Sequence, residues 1–129
     1  MNNNNNNNNN FIIKLEKYEK ENNKLLYSIF ILSDGSILYK EKEKISSNNQ
    51  SSKISEGSLG RLIDEFIDIY FFAMNDKYIE NNDKSTFRIE LSVKWQTKHK
   101  KIVFDDNPRV PVELIEFQKL IEQTIGIKK

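Results

Sequence analysis

Apolar and polar positions alternate along several stretches of the chain, the spacing of side chains on a β-strand. Residues 11–18, FIIKLEKY, set Phe11, Ile13 and Leu15 against Ile12, Lys14 and Glu16. Residues 25–32, LLYSIFIL, are rich in β-branched and aromatic side chains, as a well-buried strand is. Residues 36–43, SILYKEKE, return with Ile37 and Tyr39 on one face. Asp34-Gly35 predicts the hairpin turn between them, since both residues tolerate positive φ. Residues 86–96, TFRIELSVKWQ, alternate most strictly: Phe87, Ile89, Leu91, Val93 and Trp95 oppose Arg88, Glu90, Ser92, Lys94 and Gln96. Residues 97–101 then predict a turn, and KIVFDD at 101–106 a partner strand.

Two stretches change to helical spacing. Leu59, Leu62, Ile63, Phe66 and Tyr70 form one stripe, with Arg61, Asp64, Glu65 and Asp68 opposite. Ser55 is the expected N-cap and Glu56 lies at the positive end of the helix dipole. The run IYFFAM at 69–74 is apolar on all sides, so the helix is expected to become fully buried or to end there. Pro111 fits the first position of a closing helix with Leu114, Phe117, Ile121 and Ile125 as its stripe and Gly126 as its stop. Residues 45–55 are rich in serine and asparagine and predict a loop.

The expected fold is α+β, in the order β-β-β-α-β-β-α. A mostly antiparallel sheet of about five strands carries two helices on one face and a polar surface on the other. Asn2 to Asn10 are all asparagine. They have no apolar side chain to offset the entropy of ordering, so residues 1–10 are expected to be a disordered tail and residues 11–129 one domain.

Composition removes several function classes. The 129 residues contain no cysteine, which excludes disulfides, thiolate metal sites and cysteine nucleophiles. A single histidine, His99, rules out a His-rich metal site, and a hydrolase triad would have to be built on it alone. Twenty basic residues nearly cancel 19 acidic ones, leaving +1 and no global pull toward nucleic acid. No apolar run is long enough to span a membrane and no leader pattern is visible, so cytoplasm is the expected location. Phosphate-loop, dinucleotide and HExxH motifs are missing, and no cofactor is expected.

The densest collection of candidate chemistry is NDKYIENNDKSTF at 75–87. Asp76, Glu80 and Asp83 fail the EF-hand pattern, which needs a glycine and acids at alternate positions. Asp76, Tyr78, Asp83 and Thr86 are either turn-forming residues or the lining of a ligand or hydrolytic site. Lys98, Lys100 and Lys101, beside Trp95, are the candidate nucleic-acid contact at a hairpin tip. The first expectation is a non-enzymatic binding or protein-interaction module. A sheet edge, at residues 11–18 or 101–106, would serve for a protein partner or a homodimer.

Several of these pieces, taken in order, resemble an uncharacterised family of small bacterial and archaeal α+β proteins. They are YSIFILSDGSILY, LIDEFIDIYFF, Asp76 with Tyr78, Asp83 with Thr86, and PVELIEFQKLI. The resemblance covers nearly everything after the asparagine run. Many members carry a cysteine pair before the hairpin strand, where this chain has ENNK. The likeness implies the architecture and places Asp76, Tyr78, Asp83 and Thr86 in the family pattern; it implies no activity.

Overall fold

The computed structural model describes residues 11–41, 50–79 and 86–126. The asparagine run, Glu80 and Asp83 lie outside them. The strands are β1 (Phe11–Glu19), β2 (Lys24–Leu32), β3 (Ser36–Glu41), β4 (Gln50–Lys53), β5 (Lys77–Tyr78), β6 (Phe87–Trp95) and β7 (Lys98–Phe104). The helices are α1 (Glu56–Asp68) and α2 (Val112–Ile125). One sheet runs in the order β4-β3-β2-β1-β6-β7-β5. Every pairing is antiparallel except that of β5 with β7.

The α+β class and antiparallel bias follow from the hairpins, but the sheet has seven strands rather than about five. The two additions are short edges. β4 falls inside the stretch expected to be a loop, and β5 inside the acidic connector. Neither offers an apolar alternation to read, because an edge strand can be held by backbone hydrogen bonds alone. Ile54 N–H donating to the Gly35 carbonyl (3.0 Å) and Val103 N–H to the Asp76 carbonyl (2.9 Å) secure them. Of the stretches expected as possible edges, residues 11–18 are interior, since β1 lies between β2 and β6, whereas in 101–106 the short β5 covers only Val103 and Phe104 of β7.

Ile13, Leu15, Ile29, Ile31, Ile89, Leu91, Val93 and Ile102 have no exposed surface and form the sheet side of one core. Leu62 and Phe66 of α1 and Leu114, Phe117 and Ile121 of α2 cover it. Phe66 sits at the junction, with ring centroids about 6 Å from Phe72, Trp95 and Phe117. Ser55 caps α1 as its residue type demands, accepting from Ser58 N–H at 3.0 Å. The helix ends at Ile69, so Tyr70 is no part of its stripe. Tyr70 turns left-handed at φ 57° and is 76% exposed, while Phe71 swings into the core. Pro111 is the N-cap of α2 rather than its first helical residue, and Gly126 closes the helix at φ 88°.

Two turns and one bulge depart from expectation. Between β2 and β3 only Gly35 takes positive φ, and its N–H donates to the Leu32 carbonyl. The β6–β7 turn is just Gln96 and Thr97, so Lys98 and His99 belong to β7 and its strand starts earlier. In β1 the register shifts at Ile12, where Phe11 pairs with Leu32 but Ile13 with Ile31. This bulge reverses Phe11, which leaves the row of Ile13 and Leu15 for the opposite face.

Candidate binding surface on the open sheet face

Both described helices pack on the face of Ile13, Leu91 and Ile29. The register therefore fixes what the other face presents. Lys14 stands between Phe30 and Ser92, Glu16 between Ser28 and Glu90, and Tyr18 beside Arg88. Further out, Lys94 pairs with His99, Ser92 with Lys101, and Ser28 with Lys40. The face joins aromatic rings to cations. Lys94 Nζ lies 4.6 Å from the centroid of Phe11, and the Arg88 guanidinium 4.4 Å from that of Tyr18. Lys14 Nζ lies 5.8 Å from Phe11 and 5.5 Å from Phe30. Phe11 also meets Phe30 and His99 edge-on.

Charge on this face is unbalanced. Lys14, Lys40, Arg88, Lys94 and Lys101 share it with two carboxylates, Glu16 and Glu90. Those carboxylates face each other directly across β1 and β6, an arrangement that repels unless compensated. Compensation comes from Lys14 on Glu16 at 3.8 Å, and from Arg88 and Lys101, each 3.1 Å from Glu90. Burial works to raise the Glu90 pKa. Hydrogen bonds and charge from Lys101 and Arg88 outweigh it and hold the carboxyl below its ordinary value. Tyr18 is pushed above its ordinary value, first by burial and then by the Glu16 and Glu90 charges.

The residues singled out by sequence are distributed elsewhere. Asp76 is exposed, with its carboxylate 2.9 Å from Lys100 Nζ. Tyr78 Oη accepts from Asn75 N–H at 3.0 Å, and its carbonyl accepts from the Asn107 amide at 2.8 Å. Thr86 is exposed at the start of β6, and its carbonyl accepts from Lys20 N–H at 3.0 Å. The described contacts of these three thus share no partner. The lysines divide as well. Lys98 and Lys100 lie on the helix side of the sheet, Lys98 above the Phe72 ring and Lys100 donating to the Met74 carbonyl. Only Lys101 is on the open face. They do not make one basic tip.

Two polar clusters escaped the sequence reading. Asp105, 2% exposed, takes the Lys20 ammonium at 3.2 Å and the backbone N–H of Asn107 at 3.0 Å. Asn107 in turn accepts from Arg109 N–H at 2.7 Å, so this node ties the β1–β2 turn, β5 and the approach to α2 together. On the core side, Tyr27 donates to Glu122, and Tyr39 donates to Glu41 at 2.7 Å. Burial, followed by the Glu122 hydrogen bond, drives the Tyr27 phenol well above its usual range. Both clusters consist of mutually satisfied groups. Among the described residues no group of three or more His, Asp or Glu is placed to hold a metal ion, and no helix is long and apolar enough to cross a membrane.

The sequence signal for the open face was present but incomplete. Charged and aromatic residues occupy alternate positions of β1 and β6, yet only the pairing of those strands brings them together, and only the bulge adds Phe11. Fold and surface together define a two-layer α+β protein whose second sheet face, covered by neither described helix, is cationic and aromatic. The chain matches no family model, and no curated protein is significantly similar to it.

Proposed function

We propose that the protein is a non-enzymatic binding module and that the open sheet face is its contact surface. One observation carries this: rings and cations converge on a face that neither described helix covers, while Asp76, Asp105 and Glu122 are held in structural contacts. A sheet buried on one side needs only a polar second face to remain in water. Two partly exposed rings, Tyr18 and Phe30, set among cations go beyond that need. The likeness to an uncharacterised family supplies architecture and no activity, so the proposal stands on the side chains. Amide chemical shifts of the isotopically labelled protein test it, titrated with an oligonucleotide, an acidic peptide, anionic vesicles and common metabolites. Shifts are expected to centre on Lys14, Tyr18, Phe30, Arg88, Lys94 and Lys101. Silence on this face with all four, or shifts confined to Asp76, Tyr78 and Thr86 with a metabolite, would overturn it.

A further inference from the structure

We infer that the open face takes single-stranded nucleic acid. This rests on the open face being the contact surface, and it names the ligand. Charge is the first argument. The chain as a whole carries +1, yet five cations meet two carboxylates on this face, so its field favours a polyanion locally. The rings are the second. Phe30 and Tyr18 are partly exposed and each lies beneath a cation on this face, with Phe11 buried beside Phe30 under Lys14 and Lys94. A nucleobase stacking on a ring replaces the ammonium above it. The displaced lysine then reaches the adjoining phosphate, which takes the place of its ring contact.

The same features discriminate against other partners. A protein interface is centred on exposed apolar anchors. The large apolar residues exposed in the described structure are Ile67, Tyr70 and Val112, which belong to α1, the turn after it and α2. Duplex nucleic acid offers phosphates but keeps its base faces stacked, so the rings would go unused. An unpaired strand uses both halves of the surface.

Fluorescence anisotropy with labelled ten-nucleotide oligo(dT) and oligo(U) tests this, with the matched duplex and a poly-glutamate peptide as comparisons. The single strands are expected to bind at least about ten-fold tighter than either comparison. With three phosphates neutralised, the slope of log K against log salt should be about −2. The double reversal K14E/K94E should weaken binding at least ten-fold. Glu90→Gln, which releases Arg88 and Lys101, should tighten it several-fold, a gain that misfolding cannot imitate. Equal or tighter binding of the duplex or of poly-glutamate, or no gain in the Glu90→Gln protein, would overturn the inference. If open-face amides respond to the peptide or to vesicles but not to the oligonucleotides, the ligand class falls and the contact surface survives. If they respond to nothing, both fall.

Discussion

Gly35 shows how much one backbone angle can decide. Its φ is +88°, and a Cβ placed there would stand 2.9 Å from the carbonyl oxygen of Ile54. Gly126 has the same φ with nothing within 4 Å. The pair separates conformational cost from collision. Gly126→Ala should lose about 1 kcal/mol, the cost of a side chain in the left-handed region. Gly35→Ala should lose roughly 2 kcal/mol or more, because the oxygen it strikes belongs to the backbone that pairs β4 to the hairpin. Urea midpoints at unchanged m value measure the difference. The Asp34-Gly35 dipeptide made the turn legible in the sequence. The contact with Ile54 was not legible, because it depends on a strand that carries no hydrophobic signature. Phe11 is the other illegible residue. Strict alternation assigns it to the core, and one extra residue at Ile12 sends it to the other face.

Helix α1 was readable because two independent signals agree at its start. The apolar stripe begins just after a serine able to cap it, and the hydroxyl accepts from Ser58 N–H. Ser55→Ala should therefore cost about 1 kcal/mol, seen as a lower urea midpoint, and Ser55→Asp should restore most of it. The end of the helix was harder to place, since an all-apolar run has no period. Tyr70 and Phe71 are adjacent, yet one is largely in solvent and the other fully buried. The cause is the left-handed turn at Tyr70, which nothing in residues 69–74 announces. The edge strands β4 and β5 were missed for a related reason. Hydrophobic periodicity reports burial, and these strands are defined by whom their backbone pairs with. The candidate surface falls between these cases: its charges lie at readable positions on β1 and β6, but their convergence depends on register.

At the level of the whole molecule, one carboxylate on the open face, Glu90, links stability to pH. The Glu90 pKa is lower in the folded protein than its ordinary value of 4.5. Unfolded chains therefore bind its proton first as pH falls. Its contribution is fully present above about pH 5 and is lost as pH drops through the folded value. Glu90→Gln should make the acid limb of the stability profile shallower, measured by urea unfolding at pH 3 to 6. An unchanged limb would mean that other carboxylates dominate it. The topology has a kinetic consequence too. The most central pairing joins positions 13 and 93, so the middle of the sheet is the part most remote along the chain. Closing so long a loop before any contact rewards it makes for slow folding, on the order of milliseconds to seconds. During synthesis β1, β2 and β3 emerge well before β6, so their apolar face awaits its cover while β1 lacks a neighbour on one side. Until β6 arrives, that side of β1 is an open template for intermolecular pairing, and the nascent chain is most prone to aggregate over that interval.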